Sequence, residues 1–181
     1  MEKVRRFRGL FWPFALLLAF LGVASMLSLQ MGMWIGSGLV KEVPKYVLEV
    51  TSIGLFVVLI LVFGKKDFRK IFFSSLILIA LLFVGSFFAP PSIVPYFFMI
   101  FFCPKLLPVL GWCYVNQIAD KLEGMKYYFA LIFVSGLIMF PFTAMPFFLN
   151  FGPSMMLSSA LVCLGLVLLF DYWINARRAH A

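Results

Sequence analysis

Long stretches of the chain carry no charged residue, and this feature limits the possible fold more than any other. Three such stretches run from Gly9 to Val40, from Ile71 to Pro104 and from Tyr127 to Phe170. In the whole chain 64% of the residues are hydrophobic and only 12% are charged, whereas a soluble domain is typically about half apolar and about a quarter charged. Polar groups are too few to cover such a fold in water. The sequence therefore predicts an integral membrane protein.

The apolar stretches divide into six segments, each close to the length of about 20 residues that a spanning helix needs. Charged turns, prolines and glycines separate them. The predicted spans are about 10–33, 46–63, 71–89, 94–114, 127–149 and 154–173. Because the runs are continuously apolar rather than alternating, a transmembrane barrel is disfavoured. We expect an all-α membrane protein, a six-transmembrane-helix bundle forming a single domain over residues 1–181.

The distribution of Lys and Arg predicts the orientation. In a six-span arrangement most of the basic residues fall on one side: Lys3, Arg5, Arg6, Arg8, Lys65, Lys66, Arg69, Lys70, Lys121, Lys126, Arg177 and Arg178. The opposite side carries only Lys41 and Lys45. Since cytoplasmic loops are enriched in these residues, we expect a multi-pass protein of the inner cell membrane with both termini in the cytoplasm. A cleaved signal peptide is the alternative for the first span, although its apolar core is longer than usual.

Several functional classes lack the residues that they require. The net charge is +8, but the charges lie in short clusters between apolar runs, so we expect no nucleic-acid partner. The three cysteines lie in apolar runs and the single histidine is His180 in the tail, so we expect no metal and no cofactor. No nucleophile–base pair or phosphate loop is visible, which disfavours an enzyme. A lipid-modifying enzyme would depend on Asp120 and Glu123, which alternate with lysines as in a solvated turn.

Lys105 is the residue that points most directly to a binding site. It lies about midway along the fourth predicted span between Pro104 and Pro108, and ionisable residues inside a span usually face a bundle interior or an aqueous path. At 100° per residue, Trp112 and Asn116 fall on the same helix face as Lys105. We call Lys105, Trp112 and Asn116 the predicted ligand stripe. A lysine, an indole and an amide on one helix face predict a site for a small anionic, aromatic solute. The alternative is that Lys105 snorkels or pairs for structural reasons.

Two further polar residues are weaker candidates for the same site. Glu49 lies near the outer end of the second span, where it is either a coupling residue or an interfacial charge that pairs with Lys45. Gln30 in the first span either lines the cavity and contacts the solute or forms a hydrogen bond to another helix.

The segment from Trp112 to Tyr128 resembles a segment of the ATP/ADP translocases of intracellular bacteria and plastids. That family carries W-G-F-A-N-Q-I-T, then three residues, then E-A-K-R-F-Y. Six residues of this chain coincide without a gap: Trp112, Asn116, Gln117, Ile118, Glu123 and Tyr128. In the family this segment joins the fourth and fifth helices of the N-terminal half, as it would here. The family's charged motif in the first helix has no counterpart in the uncharged first span, and its glutamate early in the fourth helix falls near Ile100.

The resemblance implies a nucleotide transporter of half length, built like one half of a major-facilitator transporter. The basic turn from Gly64 to Lys70 lies where that superfamily has its charged loop between helices two and three. A half-length chain is expected to form a homodimer or to pair with a second six-span half in the lipid bilayer. The alternative is a multi-pass subunit or assembly partner that does not itself transport.

Overall fold

The computed structural model describes residues 2–35, 45–88, 90, 103–119, 121–150 and 152–179. Every regular element in these ranges is an α-helix. In chain order the helices are α1 (Glu2–Ile35), α2 (Lys45–Phe63), α3 (Phe68–Phe88), α4 (Cys103–Ile118), α5 (Lys121–Phe148) and α6 (Pro153–Ala179).

Helix α1 lies at the centre of the bundle. It packs most extensively against α6 and then against α5 and α4. Its buried residues include Phe14, Leu18 and Ala24, and they lie on more than one helix face. Helix α4 is the second centre, because it packs against α1, α2, α3 and α5. The hydrophobic core is formed mainly by α1 and α4, with single rows of residues from the other helices.

Helices that follow one another in the chain alternate in direction. Phe14 stacks on Tyr114 with ring centroids 3.6 Å apart, and Gly22 lies next to Leu107, so α1 and α4 are antiparallel. The contact between Arg177 and Gly9 makes α6 antiparallel to α1 as well. The starts of α1, α3 and α5 and the ends of α2, α4 and α6 therefore meet at one end of the bundle. We call it the basic end, because the segments that carry the twelve basic residues of the predicted cytoplasmic side all lie there.

Several helices extend beyond the predicted spans. Helix α1 begins at Glu2 and α5 at Lys121, ahead of predicted spans that start at 10 and 127, because charged residues can occupy solvated helical turns outside the apolar segment. Helix α4 continues to Ile118, beyond the predicted span that ends at 114, and residues 94–102 of that span lie outside the described residues.

The predicted break between the fifth and sixth spans is confirmed. Helix α5 ends at Phe148, and Asn150 adopts a positive φ of 49°, a left-handed conformation that Asn tolerates after a helix. Pro153 is the first residue of α6, where the missing N–H of proline costs no helical hydrogen bond.

Among the described residues, three helices contain segments long and apolar enough to cross a membrane: Gly9–Leu27 in α1, Glu123–Met145 in α5 and Ser158–Arg177 in α6. Helix α4 adds a shorter apolar segment, Leu106–Ile118. Much of the outer surface is apolar, including Phe133 and Phe140 of α5 and Leu169 of α6. Such surfaces require a lipid or protein environment, so the fold favours a membrane location.

Candidate functional site

The most extensive group of polar contacts between helices lies where the α2–α3 turn packs against the C-terminal half of α4. The Asn116 side-chain amide donates a hydrogen bond to the carbonyl oxygen of Gly64 at 2.9 Å. The Gln117 amide donates to Oδ1 of Asp67 at 3.0 Å, and the Cys113 thiol donates to the carbonyl of Phe63 at 3.1 Å. We call the contact of Cys113, Asn116 and Gln117 with residues 63–67 the turn clamp. It supplies side-chain donors to the carbonyl of Phe63, which also accepts the backbone N–H of Lys66 at 2.9 Å, and to the carbonyl of Gly64 in the turn after α2.

Local sequence explains the geometry of the turn. Asp67 immediately precedes α3, and its Oδ1 accepts the backbone N–H of Arg69 at 3.0 Å, as expected for an N-cap residue. Gly64 is buried against Trp112, since a β-carbon there would lie 3.0 Å from the indole Cδ1 and would also collide with the carbonyl oxygen of Ile60. The turn can approach α4 this closely only because residue 64 has no side chain.

Trp112 and Asn116, two members of the predicted ligand stripe, both lie at the turn clamp. Trp112 contacts Gly64 on one side and forms an edge-to-face pair with Tyr128 of α5, with ring centroids 5.2 Å apart. Asn116 is exposed even though its amide is bonded to Gly64. In this arrangement both residues join α4 to its neighbours at the basic end.

The remaining predicted site residues are not brought to the turn clamp. Gln30 lies near the far end of α1, roughly 30 Å from Gly9 at 1.5 Å per residue. Its amide donates to the carbonyl of Thr143 in α5 at 3.3 Å, and its buried Oε1 has no hydrogen-bond partner among the described residues. The backbones of Lys105 and Glu49 belong to α4 and α2, and their side chains lie outside the described part of the structure.

A buried carboxylate at the basic end, Asp171, is a feature that the sequence analysis did not single out. Asp171 is only 7% exposed. Its Oδ2 accepts a hydrogen bond from Asn175 at 3.0 Å and lies 3.8 Å from Nη2 of Arg69 at the start of α3. The spacing of Asp171 from Val167 and Ile174, both fully buried, is the signal that could have placed it on the inner face of α6.

The basic end also presents exposed cations. The side chains of Lys65, Lys66 and Lys70 are exposed beside the turn clamp, and Lys126 is exposed on the first turns of α5. A surface of this kind raises the local concentration of anions. Among the described residues, no three His, Cys, Asp or Glu side chains lie close enough together to hold a metal ion.

Comparison of the chain with known protein families, with curated proteins and with solved structures finds no match. The fold therefore defines the class on its own: a helical protein with segments able to span a membrane and a basic end where its helix termini meet.

Proposed function

We propose that the chain is a six-span half-transporter that moves a small anionic solute such as a nucleotide or a phosphorylated metabolite. Two such halves, either two copies of this chain or this chain and a second six-span half, would enclose a central path. Besides the three helices already described as long and apolar enough, α2 and α3 have 19 and 21 residues, the length that a bilayer requires.

The packing pattern of the helices is the observation that carries this proposal. The six helices divide into a first trio, α1–α3, and a second trio, α4–α6. Helix α1 packs on α5 and α6 of the second trio, and α4 packs on α2 and α3 of the first. Helices α1 and α4 also pack on each other. Exchanging α1–α3 with α4–α6 maps these contacts onto one another, whereas the contacts of α4 with α5 and of α1 with α3 have no counterpart of comparable extent among the described residues. Because each trio has an odd number of alternating helices, the second would be inverted in the membrane. Inverted repeats of three helices within each six-span half are typical of major-facilitator transporters.

In the proposed mechanism, α1 and α4 border the solute path. Lys105 on α4 supplies the positive charge, with Trp112 stacking on the solute and Asn116 bonding to it between Lys105 and the basic end. Gln30 on α1 contacts the solute from the other side, and Glu49 on α2 is the coupling candidate. The exposed lysines of the basic end attract anions to the cytoplasmic mouth. Rocking of one half against the other would expose the site alternately to each side.

Uptake into proteoliposomes tests this proposal. We expect uptake of labelled ATP, ADP or phosphate by the reconstituted protein, and a fall of about tenfold or more in Lys105→Ala, since a hydrogen bond to a charged group contributes ~1.5–3 kcal/mol. Lys105→Arg, which keeps the charge, should retain part of the activity. Lys70→Ala is the control for loss of charge, because it removes only one of several exposed cations at the basic end and should therefore lower uptake much less than Lys105→Ala. Normal uptake by correctly inserted Lys105→Ala would exclude the assigned site.

A second candidate is a multi-pass subunit that assembles with a larger membrane complex and does not transport. The turn clamp favours this candidate, because the Asn116 amide already bonds to Gly64 and the Trp112 ring already packs on Tyr128. Under this alternative the reconstituted protein takes up none of the three solutes. It also co-purifies from its native membrane in fixed stoichiometry with other subunits, and Lys105→Ala leaves that assembly intact.

A further inference from the structure

Pro13 lies inside α1 and leaves one backbone carbonyl without its helical partner. A proline has no N–H, so residue 13 cannot donate to the carbonyl of Gly9, four residues earlier. The proline ring also pushes against that carbonyl and weakens the helix at this turn. The basic segment 2–8 is therefore joined to the rest of α1 through a weak point in the hydrogen-bond ladder.

Arg177 of α6 supplies the missing donor. Its Nη1 donates a hydrogen bond to the Gly9 carbonyl oxygen at 3.0 Å. The guanidinium group lies over the ring of Trp173, 4.8 Å from the centroid, and this contact orients the side chain from within its own helix. A cation from the last turns of α6 thus replaces the N–H that the first turns of α1 lack.

Side-chain packing is lacking at Gly9 itself, although the neighbouring Leu10 is buried in the core. Gly9 is exposed, and a β-carbon built there would meet no atom within 4 Å. Further along α1, by contrast, Gly22 lies directly against Met139 and Leu107. The hydrogen bond from Arg177 therefore joins to α6 the carbonyl that Pro13 leaves open, at a position that precedes the buried Leu10.

We propose that Pro13 is a hinge in α1 and that Arg177 is the latch that holds it. With the latch closed, segment 2–8 is fixed relative to the C-terminal turns of α6. With the latch open, the segment pivots at Pro13 while the apolar part of α1 stays packed. The two termini of the chain are thereby coupled at the basic end. This proposal concerns the hinge alone and does not depend on transport.

Spin-label distances test the latch. In a variant without cysteines, labels at Arg5→Cys and Ala179→Cys report the distance between the two terminal segments in lipid nanodiscs. We expect a narrow distance distribution for the parent and a broad, longer one for Arg177→Ala. Adding Pro13→Ala restores the N–H that pairs with the Gly9 carbonyl, so Pro13→Ala/Arg177→Ala should return to a narrow distribution. Arg177→Lys, which keeps the charge, should lie between the parent and Arg177→Ala.

Arg178→Ala is the control, because it removes the same charge one residue further along. It should leave the distribution narrow. Three results would overturn the proposal: a narrow distribution for Arg177→Ala, equal broadening by Arg178→Ala, or broadening by Arg177→Ala that persists in the Pro13→Ala background. The last would show that Arg177 does not act by replacing the hydrogen bond that proline removes.

Discussion

At the scale of single residues, the turn clamp depends on the absence of a side chain at residue 64. Gly64 brings the α2–α3 turn against the indole of Trp112, and its carbonyl accepts the Asn116 amide. A hydrogen bond from a side-chain amide to a backbone carbonyl contributes about 1 kcal/mol, and an unsatisfied buried carbonyl costs about as much or more. A substitution that moves the turn away from Trp112 should therefore also break the hydrogen bond between Asn116 and Gly64.

Gly64→Ala should destabilise the protein by about 1–3 kcal/mol, the usual cost of forcing an extra methyl group into a packed site. The added β-carbon would collide with the carbonyl oxygen of Ile60, which is backbone and cannot rotate away. Gly54→Ala is the matched control, because a β-carbon at that exposed position of α2 meets no atom within 4 Å. It should be neutral or stabilising by up to about 1 kcal/mol, since alanine favours a helix over glycine.

Thermal unfolding in detergent, followed by tryptophan fluorescence, measures both variants. A midpoint for Gly64→Ala at or above that of Gly54→Ala would mean that the turn does not lie against Trp112 as the structure has it.

Helical periodicity alone placed Trp112 and Asn116 on one face of the fourth helix. Their partner could not be predicted in the same way, because Gly64 lies 52 residues earlier in the chain than Asn116. Long-range packing decides which surface covers a helix face, and periodicity says only that the face exists. The role of these residues as ligand contacts stays a prediction.

At the scale of helices, the start of α3 is tied to the end of α6 by a carboxylate. Asp171 lies on the same inner face of α6 as Ala160, Val167 and Ile174, and its Oδ2 lies 3.8 Å from Arg69. A charge on a packed helix face is costly unless it is paired. Arg69 is 44% exposed, so the pair lies at the edge of the bundle rather than in its core.

A double-mutant cycle on Arg69→Ala and Asp171→Asn should reveal a coupling free energy of about 0.5–1 kcal/mol, the range for partly exposed ion pairs. Asp171→Asn keeps the size of the side chain and an acceptor for Asn175, so it removes mainly the charge. Each single variant should lower the unfolding midpoint, and the second change should add little to the first. Strictly additive losses would show that the two residues do not interact.

The sequence predicts helix ends most accurately where the backbone preferences of particular residues determine them. Asn150 and Pro153 marked the break between the last two helices, and both behave as their backbone preferences require. Helices α1 and α5 begin before the predicted spans, because the prediction followed the apolar segment and not the helix. A helix continues into polar turns as long as its backbone can, and hydropathy does not record where it stops.

At the scale of the whole molecule, the alternating helices gather the basic segments at one end. Counting Lys and Arg along the sequence predicted that these segments share a side, and the contacts Arg177–Gly9, Arg69–Asp171 and Gln117–Asp67 join them. The half-transporter proposal requires this arrangement to sit across a membrane with the basic end in the cytoplasm.

Cysteine labelling from each side of the membrane tests this arrangement most directly. Single cysteines at Lys66→Cys, in the α2–α3 turn, and at Gly152→Cys, between α5 and α6, would be introduced into a variant without native cysteines. In intact cells, a membrane-impermeant maleimide should label Gly152→Cys and leave Lys66→Cys unlabelled. Lys66→Cys should become labelled only after the membrane is permeabilised. Labelling of both positions from the same side would contradict a six-span bundle with its basic end in the cytoplasm.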